Sequence, residues 1–144
     1  MILLSGLTAT VNAGPVPSKK GGNVIEITKR DSGSRLAFVN KMYFGFTNEY
    51  SSNKEVNDAL KMDAAHLARK IIKENNIESL VVENYVVHLY KGMLFRKYDD
   101  ESFKFWKNII KSGSKTKYDV FRDFVYSKEF RLLCIRYDFP RGNI

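Results

Sequence analysis

Between Val24 and Phe139 the chain contains no proline; its three prolines are Pro15, Pro17 and Pro140. A proline inside a helix removes a backbone donor and clashes with the preceding turn, so long helices need such a stretch. Over the same residues apolar side chains return every third or fourth position, the spacing of one helix face. No alternating apolar–polar run of useful length competes with it. The two observations together predict an all-α fold, a compact bundle of about six short amphipathic helices joined by short links.

The first helix carries Leu36, Val39, Met42, Tyr43 and Phe46 on one face, with Ser34 placed to cap its start, and the Asn- and Ser-rich residues 47–53 end it. A second helical region, residues 54–75, is lined by Val56, Leu60, Ala64, Leu67, Ala68, Ile71 and Ile72, with a break available at Met62 and Asp63. A third, residues 79–94, presents Val82, Tyr85, Val86, Leu89, Tyr90, Met93 and Leu94. After a turn at residues 96–99, Asp99 or Asp100 caps a helix bearing Phe103, Trp106, Ile109 and Ile110. A side-chain oxygen at that position accepts an otherwise unpaired backbone N–H. Residues 112–114 stop this helix, Gly113 supplying the left-handed conformation that helix ends favour. Thr116 caps a helix holding Val120, Phe121, Phe124 and Val125. Ser127 opens the last one, through Phe130, Leu133, Cys134 and Tyr137. The core set read from this pattern is Tyr85, Leu89, Tyr90, Phe103, Trp106, Val120, Phe124, Phe130 and Cys134.

The chain ahead of the bundle is of another character. Residues 1–13 carry no charge, and their apolar run ends in Val11-Asn12-Ala13, which offers small residues at the positions a signal peptidase reads. A basic leader before the run is missing. Residues 14–33, with Pro15, Pro17, Gly21, Gly22 and Gly33 among Lys19, Lys20, Lys29 and Arg30, read as a disordered, flexible basic leader, with a short extended piece at residues 24–27. The organisation expected is a signal remnant (1–13), a leader (14–33) and one helical domain (34–144). The apolar start is too short to span a bilayer, which takes about 20 apolar residues, and no other segment approaches that length, so no transmembrane insertion is expected.

Two pairs of segments echo one another. Phe38-Val39-Asn40-Lys41-Met42-Tyr43-Phe44-Gly45 parallels Tyr85-Val86-Val87-His88-Leu89-Tyr90-Lys91-Gly92. Leu67-Ala68-Arg69-Lys70-Ile71-Ile72 parallels Val120-Phe121-Arg122-Asp123-Phe124-Val125. Two diverged helical repeats, residues 34–78 and 79–142, account for this; so does the spacing that any two amphipathic helices share. The residues Tyr85-Val86, Leu89-Tyr90, Leu94, Arg96, Asp99, Phe105-Trp106, Gly113, Val120, Phe124, Ser127-Lys128-Glu129-Phe130, Cys134, Tyr137 and Gly142 resemble the bacterial domain-of-unknown-function family 4214. The resemblance is clear over residues 85–142 and extends to a diverged preceding copy from Phe38. Phe95 stands where that family has Gly, Tyr98 where it has Pro, and Ser102 where it has a second Gly, which predicts a differently shaped loop over residues 95–102. The resemblance implies a helical domain of secreted and cell-surface bacterial proteins, distantly similar to phycobilisome linker domains, and implies no established activity.

Signals for chemistry are sparse. His66 and His88 have no second His or Cys at ligand spacing. Lys19-Lys20-Gly21-Gly22 lacks the strand, spacing and hydroxyl residue of a phosphate loop, and no nucleophile elbow is present. Asp99-Asp100-Glu101 reads as the acidic start of a helix, with weak cation binding as the other reading. Cys134 is one cysteine in an apolar run, so no intramolecular disulfide forms; it reads as a buried small hydrophobe or, alternatively, a reactive thiol. Trp106 reads as a core anchor or as a platform for stacking a glycan. No catalytic residue, metal ligand or cofactor site is expected.

Charge is the remaining signal. Twenty-four Lys and Arg against sixteen Asp and Glu leave +8, a balance that suits acidic partners or simply a soluble surface. Lys104, Lys107, Lys111, Lys115 and Lys117 form the densest basic cluster and are the candidate polyanion contact. The function expected is a non-enzymatic, secreted or cell-surface interaction module binding a protein or anionic glycan. The alternative is a basic helical domain binding nucleic acid or another polyanion, supported by charge alone.

Overall fold

The computed structural model describes residues 30–144, with side chains from residue 33 onward. The signal-like residues 1–13, most of the leader 14–33 and the extended piece at residues 24–27 lie outside the described residues. The described chain is all-α, with seven helices and no strand: α1 (Arg30–Thr47), α2 (Asn53–Ala59), α3 (Ala64–Glu74), α4 (Val82–Met93), α5 (Asp100–Lys111), α6 (Lys117–Val125) and α7 (Lys128–Arg136), with a short 3₁₀ turn (Ile77–Ser79) before α4.

Helix boundaries follow local chemistry. Residues 54–75 form two helices because Asp63 caps α3, its carboxylate accepting from the His66 N–H. Ser52 and Glu55 form a reciprocal capping box at α2, and Thr116 and Asp119 form another at α6. Asp99 accepts from the Ser102 N–H and Ser127 from the Phe130 N–H. Gly113 ends α5 with φ 84°. Each such cap contributes about 1 kcal/mol.

Four local expectations are corrected. Helix α1 begins at Arg30, so Ser34 lies inside it rather than capping it, and Gly33 belongs to the helix rather than the leader. Its buried face turns on Phe38, Val39, Met42, Tyr43 and Phe46, whereas Leu36 is half-buried. Ser79 closes the 3₁₀ turn, and α4 starts only at Val82. Phe103 is half-buried, packed at the core margin with its ring stacked on Tyr98 at 4.4 Å. The other core candidates, Tyr85, Leu89, Tyr90, Trp106, Val120, Phe124, Phe130 and Cys134, are buried.

The central contact is α1 against α4. The echoed segments meet there, and at their crossing both backbones carry glycine. A Cβ on Gly45 would lie 1.9 Å from the Lys91 carbonyl oxygen, and one on Gly92 would lie 2.4 Å from the Phe46 ring. Either contact is far inside van der Waals distance, so a side chain at Gly45 would force the helices apart. Phe38 then projects into a ring of aromatics drawn from the rest of the chain. Phe139 stacks on it at 4.6 Å, while Phe95 approaches edge-on at 5.5 Å and Tyr137 tilts at 5.9 Å.

The carboxy-terminal residues strap the bundle. The Ala64 and Ala65 N–H groups, two of the donors that any helix start leaves unpaired, donate to the Pro140 and Arg141 carbonyls at 2.8 and 2.9 Å. Gly142 passes so close to Asp63 that a Cβ would lie 2.0 Å from its carboxyl carbon.

Candidate functional site

A groove of about 580 Å³ opens between α1, α4 and the turn that follows α4. Its α1 wall is the helix face adjoining the buried one, Ala37, Asn40, Lys41 and Phe44, continued by Asn48 just past the helix end. Val87 and Lys91 of α4 face them, and residues 95–98 close one end. At the other, Phe44 and Tyr50 stack at 4.9 Å with 43% and 40% of their surfaces exposed. The segment bearing Tyr50 is tied back by Asn40, whose Oδ1 accepts from the Ser51 N–H and hydroxyl.

Phe95 shapes the closed end. Its backbone is left-handed, φ 55°, a conformation costing a bulky residue about 1–2 kcal/mol. The position is one where the resembled family has glycine. The ring meanwhile makes contacts with Phe38 and Tyr137. These contacts offset the strain, aromatic pairs contributing about 0.5–1.5 kcal/mol each beyond burial.

The electrostatics of the groove are one-sided. Lys41, Lys91, Arg96 and Lys97 line it, and among the described residues no carboxylate does. Arg96 is neutralised from behind: its Nε and Nη2 donate to the buried Glu129 carboxylate at 2.7 and 3.1 Å. Among the described residues the three lysines have no ion-pair partner. Lys91 and Lys97 are exposed. Lys41 is half-buried, its Nζ 5.7 Å from the centre of the Phe95 ring, and burial lowers its pKa from the ordinary lysine value.

The lysine cluster on α5 and beyond is spent differently. Lys111 reaches Glu83 at 2.6 Å and Lys115 reaches Asp123 at 2.5 Å. Lys117 donates to the Glu78 and Leu80 carbonyls, pinning the 3₁₀ turn, while the Tyr85 hydroxyl donates to the Lys117 carbonyl. Lys107 lies 5.9 Å from the Phe103 ring. Lys104 alone of the five has no partner among the described residues. None of these lysines lines the groove.

The remaining chemical candidates are held in structural roles. Nδ1 of His66 contacts Asp63 at 2.9 Å and Nδ1 of His88 contacts the Asn84 carbonyl at 2.8 Å. Burial pushes the Cys134 thiol up to about 12, far from the thiolate form. Tyr90, Trp106 and Asp99 present a buried hydroxyl, indole N–H and Oδ1 without hydrogen-bond partners, close to the buried Ser102. Burial pushes the Tyr90 hydroxyl up to about 12. Among the described residues no group of three His, Cys, Asp or Glu side chains is disposed to hold a metal ion. No described helix is long and apolar enough to cross a membrane.

The model of the family described as domain of unknown function (DUF4214) matches residues 72–134. This segment resembles a DUF4214 domain. It runs from the end of α3 through most of α7, beginning ahead of Tyr85 and stopping short of Tyr137 and Gly142. The DUF4214 segment thus supplies the α4 wall and closed end of the groove, whereas the α1 wall and Tyr50 come from residues ahead of it. No curated protein and no solved structure matches this chain.

Sequence reasoning passed over the groove, choosing the lysines of α5 instead. One signal pointed to it: Phe44 is a large aromatic lying off the buried stripe of α1, beside Lys41 and across from the echoed Lys91.

Proposed function

We propose that this chain is a non-enzymatic helical interaction domain, exported to the cell surface, that binds a protein or glycan partner through the groove between α1 and α4. The observation that carries this reading is the groove itself. It joins an apolar surface, including two exposed stacked rings, to three lysines without ion partners among the described residues. Export is supported by the uncharged residues 1–13 with small side chains before a cleavable position. A non-enzymatic role is supported by the sequestered thiol of Cys134 and by histidines occupied with local backbone and cap contacts. A polyanion-binding α5 face gains less support, because Lys111, Lys115 and Lys117 are engaged within the fold.

The test is fractionation of cells producing the full chain and its Phe44→Glu variant. Phe44 is exposed enough that the substitution leaves the core intact, which circular dichroism verifies. The wild type is expected outside the cytoplasm and bound to envelope material, with the variant released into the medium. Recovery from the cytosol alone defeats export; equal envelope retention of both proteins defeats the groove.

A further inference from the structure

We propose that the groove receives an acidic amphipathic helix of a partner protein. The inference rests on the reading of the groove as the binding face and names its occupant. The α1 wall is a stripe from Ala37 to Asn48; at 1.5 Å per residue it is about 16 Å long, roughly three turns. A helix laid along it, with apolar residues at i, i+3 or i+4, and i+7, meets Ala37, Phe44 and the ring of Phe95. Acidic residues on its flanks meet Lys41, Lys91 and Lys97, with no carboxylate among the described residues of the groove to repel them. Lys41 is the most telling of these. Its ammonium is half-buried beside the Phe95 ring with no anion near it among the described residues, and an incoming carboxylate offsets that burial cost.

Other occupants fit less well. The chain's own segment ahead of α1 has no acidic residue before Glu26 and carries Lys19 and Lys20. A second copy presenting the same groove brings its own lysines against these. A glycan fits less well because the lining's hydrogen-bonding side chains are dominated by cations, which favour carboxylates, and the Asn40 Oδ1 already accepts from Ser51.

The experiment is selection from a displayed library of helix-favouring peptides about 18 residues long, long enough to cover the stripe, on the full chain. The winning sequences are then synthesised and titrated by calorimetry. Winners are expected to carry net negative charge and the i, i+3/i+4, i+7 apolar pattern. Their affinity is expected to fall about tenfold or more with Lys91→Glu and with Phe44→Ala, and to weaken as salt rises from about 50 mM to about 500 mM. Lys91 and Phe44 are exposed, so these variants fold, and unchanged melting curves verify it. Neutral or basic winners, or binding indifferent to both substitutions, overturn the proposal. So does a shift to dimer abolished by Phe44→Ala in sedimentation of the peptide-free chain, or anionic oligosaccharides that bind the groove where no acidic peptide does. If Phe44→Glu releases the protein from envelope material while acidic helices fail to bind, the occupant is wrong and the groove stands. If retention is also unchanged, the groove itself falls.

Discussion

The half of the bundle made by α1–α3 and the half made by α4–α6 repeat one pattern with different internal support. In each, the leading helix buries the same register: Phe38, Val39, Met42 and Tyr43 in α1 answer Tyr85, Val86, Leu89 and Tyr90 in α4, and both reach a glycine at the crossing. The middle helix differs. Helix α5 brings Trp106, which packs against Phe124 at 5.3 Å, while Tyr90 meets Phe124 edge-on at 5.2 Å, so the second half owns an aromatic centre. Helix α2 contributes Ala59 as its buried residue, and α3 adds the aliphatic Leu67, Ile71 and Ile72 beside Ala64, Ala65 and Ala68, without an aromatic ring. The first half compensates by borrowing: the rings around Phe38 belong to the turn after α4 and to the end of the chain. The first half thus has an aliphatic core of its own and draws only aromatic rings from elsewhere, and the groove lies along the flank of α1 beside α4 and the turn that follows it.

Removing the aromatic centre breaks the comparison most severely. Trp106→Ala is expected to cost about 3–5 kcal/mol and to lower the melting temperature by at least about 10 °C. Amide exchange should accelerate in α1 as well as in α4–α6, because the first half depends on the second. Protection retained in α1–α3 would show that the halves stand alone.

The glycine pair sharpens the comparison next. A methyl at Gly45 meets backbone, which cannot turn aside, whereas one at Gly92 meets the Phe46 ring. Gly45→Ala is expected to cost about 3 kcal/mol and Gly92→Ala about 1–2 kcal/mol, each net of the helix preference for alanine, in urea melts. Equal costs would mean that the crossing relaxes symmetrically.

Phe95→Gly relieves a left-handed phenylalanine but withdraws a ring from the Phe38 cluster. The loss should exceed the relief by about 1 kcal/mol. A stabilised variant would show that the borrowed ring contributes little.

The smallest effect concerns Lys41. Its pKa is lowered by burial, so the fold disfavours its charged form. The penalty is fully present at neutral pH and is relieved as pH rises through the folded pKa toward the unfolded value. Lys41→Met should therefore be slightly more stable than wild type at pH 7, and the advantage should vanish in strongly alkaline buffer. An advantage independent of pH would assign it to packing instead.

The helices and their caps were legible because they are local. Asp99, Thr116, Ser127 and Gly113 act within a few residues of themselves, so their types at those positions sufficed. The buried face of α1 was legible at Val39, Met42, Tyr43 and Phe46 but not ahead of Val39. Leu36 and Phe38 both fit its spacing, and the choice falls to Phe38 only because Phe95, Tyr137 and Phe139 arrive from distant parts of the chain. The groove was hidden for the same reason, one wall lying far in sequence from the other. The contacts of Lys111 and Lys117 were equally hidden, since a charged side chain reads the same in sequence whether it meets solvent, Glu83 or the carbonyls of the 3₁₀ turn.

The strap over α3 carries a consequence for the order of assembly. The donors at Ala64 and Ala65 find their acceptors in Pro140 and Arg141, the last part of the described chain to leave a ribosome. Until those residues emerge, the start of α3 is unfinished and Phe38 lacks its stacked neighbour, so closure of the first half awaits residues 139–141. A chain built this way stays loose while it is being made and locks late, a useful delay for any molecule threaded through a narrow channel before it folds.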